Sequence, residues 1–540
     1  MSTPTSGLRP AATSDAGPAA RRAVVGAGEV VDPGLVRDHL ARLSGRGAPL
    51  AVLAPATGET VAAVTGSTPG DVAAAAARAR AVQPGWAARG VRSRARVVLA
   101  VHDRVLARRD ELTDLVQLVT GKARADAFLE VVGVLQVCRW TARRGPALLA
   151  PQRRAGFVPG ATTAVVRREP AGLVGNVAAW NYPLVFLLGD TVPALLAGNA
   201  VLLKPDLRST PLAGAVLGLL AEAGVPEGLV AGLAGGSAEL GEAVVDSVDH
   251  VLFTGSERVG RQVAARAGAR LVGCTLELGG KNALYVAADA DVGRAAAAAV
   301  RDCFGGAGQT CTSSERLYVH ADVAEEFTRA FVAGVEALRL GWRRDHEVDL
   351  GSLVSPEHVE HVLSHVRDAT DRGARVLTGG TARPDLGPSF MSPTVLADVP
   401  ADAVCAREET FGPLVSLRVV TDDAQALALM NDTATGLMAS IWSRDVARAQ
   451  ALAARVRTGT VVVNEVHLVA WGSIAAPIGG WGTSGLGRRY GVEGLHEVTR
   501  TRTVVTQRTP VTGWVMGARP ATRGRLLGAA ATLQRRLGLP

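Results

Sequence analysis

Short apolar strands and amphipathic helices alternate along the middle of this chain, and this alternation constrains its fold more than any other feature. The runs AGLVGNVAAW, NAVLLKP and DHVLFTGS are typical of buried strands. The helical patterns TPLAGAVLGLLAEAG and RVGRQVAARAG follow the second and third of them. Because alternating strands and helices build a parallel sheet with helices on both faces, the pattern predicts an α/β protein with a doubly wound sheet.

Helical patterns also lie on both sides of this region. PGDVAAAAARARAVQPGWAA predicts one helix, and RARVVLAVHDRVLARRDELTDLVQLVTGK predicts a single long amphipathic stretch. A second α/β region runs from about Gly279 to Ala470, with helices predicted in EEFTRAFVAGVEALRLG and PEHVEHVLSHVRDATDRG. The pattern therefore predicts two α/β domains that join near ELGGK. This agrees with the length of 540 residues, which is more than a single hydrophobic core usually accommodates.

The formal net charge of +8 raises the hypothesis of a nucleic-acid partner, so the position of the charge matters. Eight arginines, with no lysine and no carboxylate, lie between Val498 and Pro540. The preceding residues therefore carry 50 basic and 50 acidic side chains. Because this body is neutral and has no basic patch interleaved with aromatic residues, we expect no nucleic-acid partner.

The end of the chain predicts a strand followed by a basic amphipathic helix. TRTVVTQR alternates as a strand does. After it, one helical face carries Leu526, Leu527, Ala530, Leu533 and Leu537, while Arg523, Arg535 and Arg536 lie elsewhere. A solvated appendage is the default interpretation. Weak contact with an anionic membrane surface and a contact between subunits are the two alternatives.

The cysteines and the N-terminus indicate the compartment. The five cysteines are odd in number and show neither a CxxC pair nor metal-ligand spacing, so we expect no disulfide framework and no metal site. MSTPTSGLRPAATSDAGPAARR lacks the apolar core of a secretory signal and predicts a disordered lead-in. YPLVFLLGDTVPALLAGNAVLL contains Asp190 and Pro193, which favours helix, turn and strand over a membrane span. We expect a soluble protein of the reducing cytoplasm.

A candidate phosphate site lies in FTGSERVG. Gly255 and Gly260 bracket a turn from strand to helix, where backbone N–H groups and the Ser256 hydroxyl are available to a phosphate. The alternative is a turn that needs glycine only for its backbone angles. Lys204 in LLKPD closes the preceding strand, at the sheet edge where ligands gather, and a solvated lysine is its alternative.

Four further residues are candidates for chemistry. They are Asn181 in WNYP, Glu277 in LELGGKN, Cys311 in FGGAGQTC and Glu409 in EETFGP. Taken alone, each has a structural explanation: a helix cap, a surface strand residue, a core cysteine and a solvated loop carboxylate, respectively.

Together, in their order and spacing, these motifs resemble the aldehyde dehydrogenase superfamily over about residues 30–510, and PIGGWGTSGLGRRYG is similar to the family's late glycine-rich segment. The resemblance implies an aldehyde dehydrogenase-like fold with two doubly wound α/β domains and a small β oligomerisation element. The implied division is a disordered lead-in (1–30), a cofactor-binding domain (31–150 and 171–278), oligomerisation strands (151–170 and 498–510), a catalytic domain (279–497) and a basic amphipathic tail (511–540). A homodimer or homotetramer is expected.

The resemblance implies a catalytic role for three residues. Cys311 attacks the aldehyde carbon, because a thiolate with a lowered pKa is a strong nucleophile. The Asn181 amide and the Cys311 backbone N–H stabilise the oxyanion. Hydride transfer to a nicotinamide leaves a thioester, and Glu277 activates water to hydrolyse it. Because relatives that transfer the acyl group to coenzyme A generally lack this glutamate, a hydrolytic dehydrogenase is favoured.

The resemblance also implies a nicotinamide dinucleotide cofactor. Many NAD-preferring relatives carry a glutamate where this chain has Leu207, followed by Arg208, although Asp206 is one residue away. We therefore favour NADP over NAD, with Lys204 and Arg208 pairing with its extra phosphate. The implied cofactor contacts are Trp180, Lys204, Arg208, Gly255, Ser256, Gly260, Leu278, Glu409 and Phe411.

The substrate is less determined. The motifs are most similar to those of NADP-dependent succinate-semialdehyde dehydrogenases, which predicts oxidation of succinate semialdehyde to succinate. Gly189 and Gly305 stand where those relatives place carboxylate-binding arginines, so a broad-specificity dehydrogenase of uncharged aliphatic or aromatic aldehydes is the alternative. Tyr182, His467 and Trp471 are candidate pocket residues, or merely pack. From other classes, a nucleotide-independent thiol hydrolase and an inactive structural relative are remote alternatives.

Overall fold

The computed structural model describes residues 23–158 and 161–537. Its strands are β1 Pro49–Leu53, β2 Thr60–Thr65, β3 Gln152–Ala155, β4 Thr162–Pro170, β5 Leu173–Val177, β6 Ala200–Lys204, β7 Val230–Gly232, β8 His250–Thr254, β9 Gly273–Glu277, β10 Asn282–Val286, β11 Ser314–His320, β12 Arg375–Thr378, β13 Thr394–Ala397, β14 Leu414–Val420, β15 Thr435–Gly436, β16 Met438–Trp442, β17 Thr460–Val463, β18 Trp481–Gly482, β19 Gly485–Leu486 and β20 Thr499–Gln507.

The α-helices are α1 Ala27–Val30, α2 Pro33–Leu40, α3 Pro69–Ala88, α4 Val91–Ala107, α5 Arg109–Thr120, α6 Arg124–Leu148, α7 Thr191–Ala197, α8 Thr210–Glu222, α9 Ala238–Ser247, α10 Glu257–Ala269, α11 Val292–Phe304, α12 Ala321–Glu336, α13 Pro356–Asp371, α14 Val404–Arg407, α15 Asp423–Asn431, α16 Val446–Ala453, α17 His467–Gly472, α18 Gly491–Glu497, α19 Val511–Gly517 and α20 Pro520–Leu537. None of the helices within the described residues is long and apolar enough to cross a membrane.

A six-stranded sheet in the order β19-β9-β8-β5-β6-β7 forms the first half of the molecule. Strands β5 to β9 are mutually parallel, and only the short β19 runs against them. The chain proceeds outward from β5 to β7 on one side and from β8 to β9 on the other, so the direction of winding reverses between β5 and β8. Ligands of doubly wound sheets bind at the carboxyl ends of the strands on either side of such a reversal.

A seven-stranded sheet in the order β12-β13-β14-β11-β10-β16-β17 forms the second half. It is parallel except for β12. Each large sheet has its own apolar core: Val174, Leu202 and Val251 are buried in the first, and Leu284, Leu317 and Val395 in the second. These two sheets confirm the predicted α/β fold with two doubly wound units.

The strands β3, β4 and β20 form a separate antiparallel sheet in the order β20-β4-β3. All nine residues of β20 pair with β4, so the predicted strand TRTVVTQR joins the segment that lies before the first large sheet in the sequence. β20 is an edge strand of this sheet, and its Val504 and Val505 side chains are exposed.

Local sequence accounts for many element boundaries. The predicted helix PGDVAAAAARARAVQPGWAA coincides with α3. Thr68 caps it, because its hydroxyl accepts the backbone N–H of Asp71 at 3.2 Å while the Asp71 carboxylate accepts the N–H of Thr68 at 2.9 Å. Pro69 at the first helical position suits the helix without needing an N–H partner.

Two predictions of local structure require correction. The single long stretch predicted before residue 122 is two helices, α4 and α5, because Arg108 between them has non-helical angles (φ −107°, ψ 23°). The predicted disordered lead-in over residues 1–30 lies mostly outside the described residues. Within its described part, Val24 bridges to Trp342 and residues 27–30 form α1, so residues 23–30 are structured.

Candidate active site

An open cleft of about 440 Å³ lies at the carboxyl ends of β5 and β8, where the winding of the first sheet reverses. Its volume is within the range of small-molecule sites. Among the residues that line it are ten of the fifteen predicted site residues, namely Trp180, Asn181, Arg208, Gly255, Ser256, Glu277, Leu278, Cys311, Glu409 and Phe411. The fold therefore brings together residues that are spread over more than 200 positions of the sequence.

Cys311 reaches this cleft because the second sheet begins next to the end of the first. Glu277 is the last residue of β9, and Asn282, five residues later, is the first of β10. Asn282 pairs in register with Ser314 at the start of β11, and its side-chain amide donates to the carbonyl of Cys311 at 2.7 Å. One asparagine thus fixes the backbone of the candidate nucleophile close to the end of β9.

The glycine-rich approach to Cys311 has a steric reason. Gly308 has a φ of +69°, and a Cβ atom there would lie 2.2 Å from the carbonyl oxygen of Gly412. Only glycine permits this backbone angle and this close approach together. The segment before the nucleophile is therefore packed directly against the backbone that follows Phe411.

Asn181 lies on the same side of the cleft as the nucleophile. It follows β5, its side chain is almost fully buried, and its amide donates to the carbonyl of Gln309 at 3.0 Å. Gln309 is two residues before Cys311, so this hydrogen bond holds a side-chain N–H group close to the thiol. An amide oriented in this way is suited to stabilise negative charge that develops next to Cys311.

Glu277 is buried, and its Oε1 atom has no hydrogen-bond partner among the described residues. Burial raises the pKa of its carboxyl to about 7 and Arg489 opposes this rise, while Asp190 adds to it. A carboxyl with such a pKa changes protonation state in the neutral range, which is the range required of a general base.

A buried ion pair behind Glu277 was not predicted from the sequence. The guanidinium of Arg489 donates to both carboxylate oxygens of Asp190 at 2.8 Å and to the hydroxyl of Thr254 at 2.9 Å. Glu277, Asp190 and Arg489 all line a second, small cavity of about 30 Å³. Asp190 itself could have indicated this ion pair from the sequence, because a carboxylate inside a strongly apolar segment requires a buried partner.

The Cys311 thiol is less acidic here than the sequence led us to expect. Burial, together with the carboxyl groups of Glu409 and Glu277, raises its pKa to about 12, while Arg489 acts in the opposite direction. The expected lowering of the thiol pKa is therefore not seen in this conformation, in which two acidic side chains act on the sulfur. A base must take the thiol proton for Cys311 to become a nucleophile.

Aromatic rings form one wall of the cleft. The Trp180 ring meets those of Phe411 and His358 edge-on, with centroid separations of 5.6 and 6.2 Å. Arg208 lies over Trp180, with its guanidinium carbon 5.9 Å from the ring centroid, and forms a 3.7 Å ion pair with Asp206. The wall offers flat apolar surfaces beside one cation, and His358 was not among the predicted site residues.

The turn FTGSERVG shows both a structural and a ligand-facing role. The Ser256 hydroxyl accepts the backbone N–H of Val259 at 3.5 Å and caps α10, which is a structural role, although Ser256 and Gly255 also line the cleft. Gly260 does not line it. A Cβ atom at Gly260 would lie 2.5 Å from Cδ2 of Leu278, so this glycine allows α10 to pack on Leu278.

Lys204 is the other predicted cofactor residue that is absent from the lining of the cleft. It is the last residue of β6. Burial lowers the pKa of its ammonium group, and Asp206 opposes this effect. In this conformation Arg208, rather than Lys204, is the cation that faces the cleft.

Glu409 folds over the connection between the two large sheets. Its carboxylate accepts the backbone N–H of Gly280 at 3.0 Å, and a Cβ atom on Gly279 would lie 2.0 Å from Oε2 of Glu409. Burial and the nearby Glu315 together raise the pKa of Glu409 to about 8, while the Gly280 N–H and Lys281 oppose the rise.

A second ion pair, also missed from the sequence, anchors the loop that carries Glu409. The buried Glu315 carboxylate accepts the backbone N–H groups of Thr410 and Phe411, both at 2.9 Å, and pairs with the buried ammonium of Lys281. Because Lys281 directly precedes β10 and Glu315 lies in β11, the loop is fastened to the centre of the second sheet.

Two predicted substrate residues contact the neighbours of the nucleophile. The Tyr182 hydroxyl is 2.9 Å from Oγ1 of Thr310, and the Trp471 ring N–H donates to Oγ1 of Thr312 at 3.0 Å. Thr310 and Thr312 flank Cys311 in the sequence, so each aromatic side chain contacts a direct neighbour of the candidate nucleophile. His467 instead contacts Asp302, with its Nδ1 atom 2.6 Å from the carboxylate.

Charges near Tyr182 are already paired. The Lys122 ammonium is 3.4 Å from the centroid of the Tyr182 ring and forms a 2.8 Å ion pair with Glu130. A Cβ atom on Gly305 would meet no atom within 4 Å, and one on Gly189 would meet only the Val185 side chain, at 3.8 Å. The two positions discussed for a carboxylate clamp therefore offer space instead of charge.

The described residues contain no group of three or more His, Cys, Asp or Glu side chains arranged to hold a metal ion. All five cysteines are free thiols.

A thiol, a side-chain amide and a buried carboxyl group that share a cleft at the edge of a doubly wound sheet fit the class of enzymes that use a cysteine nucleophile. A sequence model described as Aldehyde dehydrogenase family matches residues 43–504. The chain belongs to the aldehyde dehydrogenase family, and it is an enzyme that oxidises aldehydes. This confirms the resemblance seen in the motifs.

Among curated relatives, the chain is 46% identical over 452 residues to a Mycobacterium ulcerans protein provisionally named succinate-semialdehyde dehydrogenase [NADP(+)] 2, covering 84% of this chain and 87% of that protein. Among solved structures, it resembles an NADP-dependent enzyme of E. coli (30% identity, TM-score 0.82, 86% and 98% of the two chains). It also resembles the betaine aldehyde dehydrogenase of Staphylococcus aureus in complex with NAD+ (27% identity, TM-score 0.83, 88% and 98%).

Proposed function

We propose that this enzyme oxidises succinate semialdehyde to succinate with NADP, through a thioester on Cys311. The observation that carries the proposal is the convergence of Cys311, Asn181 and Glu277 on one cleft. Curated relatives 44–46% identical to this chain bear the name of that reaction and cofactor, which supports the choice of substrate and dinucleotide.

The cleft residues divide the chemistry among them. The Cys311 sulfur, once deprotonated, adds to the aldehyde carbon, and the carbonyl electron pair moves to oxygen. The Asn181 amide and the Cys311 N–H stabilise the resulting alkoxide. Loss of hydride from carbon leaves a thioester. Glu277 then takes a proton from water, the hydroxide adds to the thioester carbon, and the Cys311 sulfur departs as the carboxylic acid forms.

The lining of the cleft fits a nicotinamide dinucleotide. When bound, such a cofactor supplies the hydride acceptor. Trp180 and Phe411 offer ring faces, and the N-terminus of α10 after Ser256 offers backbone N–H groups to a phosphate. Glu409 and Leu278 lie at the join of the two sheets, beside the end of the cleft that holds Cys311.

NADP is proposed over NAD because Arg208 is the cation that lines the cleft and Leu207 leaves its position without a carboxylate. We expect Arg208→Glu to lower kcat/KM for NADP by roughly 10- to 100-fold, the worth of one charge-assisted hydrogen bond to phosphate, while NAD is affected less. Arg329→Glu makes the same charge change on α12, outside the cleft, and is the matched control. An unaltered preference for NADP would show that Arg208 does not bind the extra phosphate of NADP.

A second candidate substrate class is favoured by a specific observation. The Lys122 ammonium near Tyr182 is neutralised by Glu130, and both Gly189 and Gly305 lack side chains, so none of these three positions offers an unpaired cation to a substrate. Because a substrate carboxylate needs a cationic partner, uncharged aliphatic or aromatic aldehydes are the alternative.

One steady-state panel separates the two substrate classes. Reduced-nicotinamide formation is followed with succinate semialdehyde, hexanal and benzaldehyde under each cofactor, with Cys311→Ala as the inactive control. A kcat/KM advantage for succinate semialdehyde supports the first class, and an advantage for hexanal or benzaldehyde rejects it. Ester cleavage without any nucleotide-dependent oxidation would instead indicate a thiol hydrolase, and an inactive chain would indicate a structural relative.

We also propose a role for each part of the chain. Residues 31–150 and 171–278 would bind the cofactor, residues 279–497 would carry the nucleophile, and the strands in 151–170 and 498–510 would join subunits into a homodimer or homotetramer. The exposed edge strand β20 supports the last assignment, because unpaired strand edges are ready sites for association. Five free thiols support a cytoplasmic location.

A further inference from the structure

The chain continues after β20 into two helices whose described side chains are mostly exposed. We refer to residues 511–540 as the basic tail, of which α19 and α20 are described. Trp514 and Met516 on α19 are 68% and 59% exposed, and Leu526, Leu527 and Leu533 on α20 are 46%, 43% and 57% exposed. Five large apolar side chains in two neighbouring helices are therefore available to a partner, and full burial of each would contribute about 1.5–3 kcal/mol.

The apolar and cationic residues of α20 have a regular arrangement. Leu526, Ala530 and Leu533 recur at intervals of four and three residues, so they form one stripe along the helix. Arg523 flanks this stripe on one side, and Arg525 and Arg536 flank it on the other. Long guanidinium side chains in such positions can extend away from the apolar stripe toward polar groups at its border.

The basic tail lies beyond the part of the chain that the family model matches. That match ends at residue 504. The E. coli structure aligns over 98% of its own chain and 86% of this one, so a nearly complete chain of that enzyme fits within part of the present chain. The tail is therefore outside the matched catalytic unit, and its role can be tested separately from aldehyde oxidation.

Charge indicates which partner suits this addition. The basic tail carries five arginines and no carboxylate, and the body of the chain before Val498 is electrically neutral. Two copies of the tail packed together would oppose arginine to arginine, with no acid to pair them. An anionic lipid surface offers phosphate groups to the arginines and an acyl boundary to the leucines and Trp514.

We propose that the basic tail docks this enzyme on the surface of anionic phospholipid bilayers, with α20 lying in the plane of the interface and its leucine stripe turned toward the acyl chains. Binding then combines apolar burial with electrostatic attraction, so it should require acidic lipid and weaken as salt is added. The proposal does not rest on the identity of the aldehyde or of the cofactor.

The test is co-sedimentation of the full chain with vesicles of phosphatidylglycerol and phosphatidylcholine, and with vesicles of phosphatidylcholine alone. We expect sedimentation with the first at low salt, none with the second, and release as salt rises. Replacing four tail arginines by glutamine should weaken partitioning by at least about fiftyfold. The variant is Arg523→Gln, Arg525→Gln, Arg535→Gln and Arg536→Gln.

A matched control removes four exposed arginines from the body of the enzyme and should bind as the unaltered chain does. It is Arg329→Gln, Arg367→Gln, Arg375→Gln and Arg383→Gln, each of which is exposed and paired with an acid on the surface. A second tail variant, Leu526→Ser with Leu533→Ser, keeps every charge and should lose at least about tenfold in partitioning through the lost apolar burial. Aldehyde oxidation, measured on the same samples, should be unchanged in all three variants.

Three outcomes would overturn the proposal. The first is an active full chain that stays in the supernatant with phosphatidylglycerol vesicles. The second is equal loss of binding in the body control and the tail variant, which would mean that overall charge alone drives association. The third is a smaller oligomer after the tail substitutions, measured by size-exclusion chromatography with light scattering and without vesicle binding by the unaltered chain, which would make the tail a subunit contact.

Discussion

Replacing Glu277 by glutamine is the change that most directly tests the arrangement of the cleft. The substitution keeps the size and shape of a buried side chain whose Oε1 has no hydrogen-bond partner in the described structure, so the packing around it should survive. Glutamine cannot accept a proton from water. We therefore expect the turnover rate to fall on the order of 10²- to 10⁴-fold, the usual contribution of a positioned general base.

The same substitution should still allow the thioester on Cys311 to form. On rapid mixing with aldehyde and cofactor, Glu277→Gln should release about one equivalent of reduced nicotinamide per active site and then nearly stop, because the thioester forms but is not hydrolysed. Rapid-mixing absorbance measures the burst and the later slow rate in one experiment. Glu497→Gln is the matched control, since Glu497 influences the same carboxyl but does not line the cleft.

The pH dependence of thioester hydrolysis is an independent test of Glu277. With a pKa of about 7, the Glu277 carboxyl is roughly one-tenth ionised at pH 6 and nine-tenths ionised at pH 8, so thioester hydrolysis should rise about tenfold between these values. In Glu277→Gln this rise should disappear. A variant with full turnover, or with the same rise between pH 6 and pH 8, would refute the assignment of Glu277 as the base.

Two further predictions concern residues around the base and the loop. Asp190→Asn removes a negative charge that raises the pKa of Glu277, so the rise in turnover should move to lower pH. Thermal inactivation should also quicken, because the buried Arg489 loses its partner at a cost of about 3–5 kcal/mol. pH–rate profiles and inactivation half-lives measure the two effects, and an unshifted profile would contradict the first. Gly279→Ala places a methyl group 2.0 Å from Glu409, so the KM for the dinucleotide should rise with a smaller change in kcat, whereas Gly268→Ala on α10, where a Cβ atom meets nothing within 4 Å, should change neither.

Local sequence predicted most of the elements, and the order and spacing of the motifs predicted most of the residues that line the cleft. Period and composition predicted the parallel strands, the helix α3 and the strand β20, because side-chain direction repeats with the backbone geometry of each element. The break between α4 and α5 at Arg108 was not predicted. The apolar period continues across it, because the break depends on the backbone angles of a single residue.

The pairing of charges was beyond sequence reasoning. Arg489 and Asp190 are separated by 299 positions, and Lys281 and Glu315 by 34, and each residue taken alone is an ordinary charged side chain. Only the meeting of β9 and β10 with the late glycine-rich segment and with β11 places these partners together in a buried environment. Their effect on the base and on the loop depends on that burial, because charges act strongly only where water is excluded.

The sequence by itself therefore determined the class of fold and the family, and it predicted the three candidate residues of the chemistry, since these follow from periodicity and from motifs of fixed spacing. Only the tertiary structure shows the shifts in pKa. Burial is the largest cause of both, raising the pKa of Cys311 to about 12 and that of Glu277 to about 7. It also shows that Lys204 and Gly260 stand outside the cleft, and that the positions of Gly189 and Gly305 offer space without charge. These properties depend on distance and burial, which no linear pattern of residues contains.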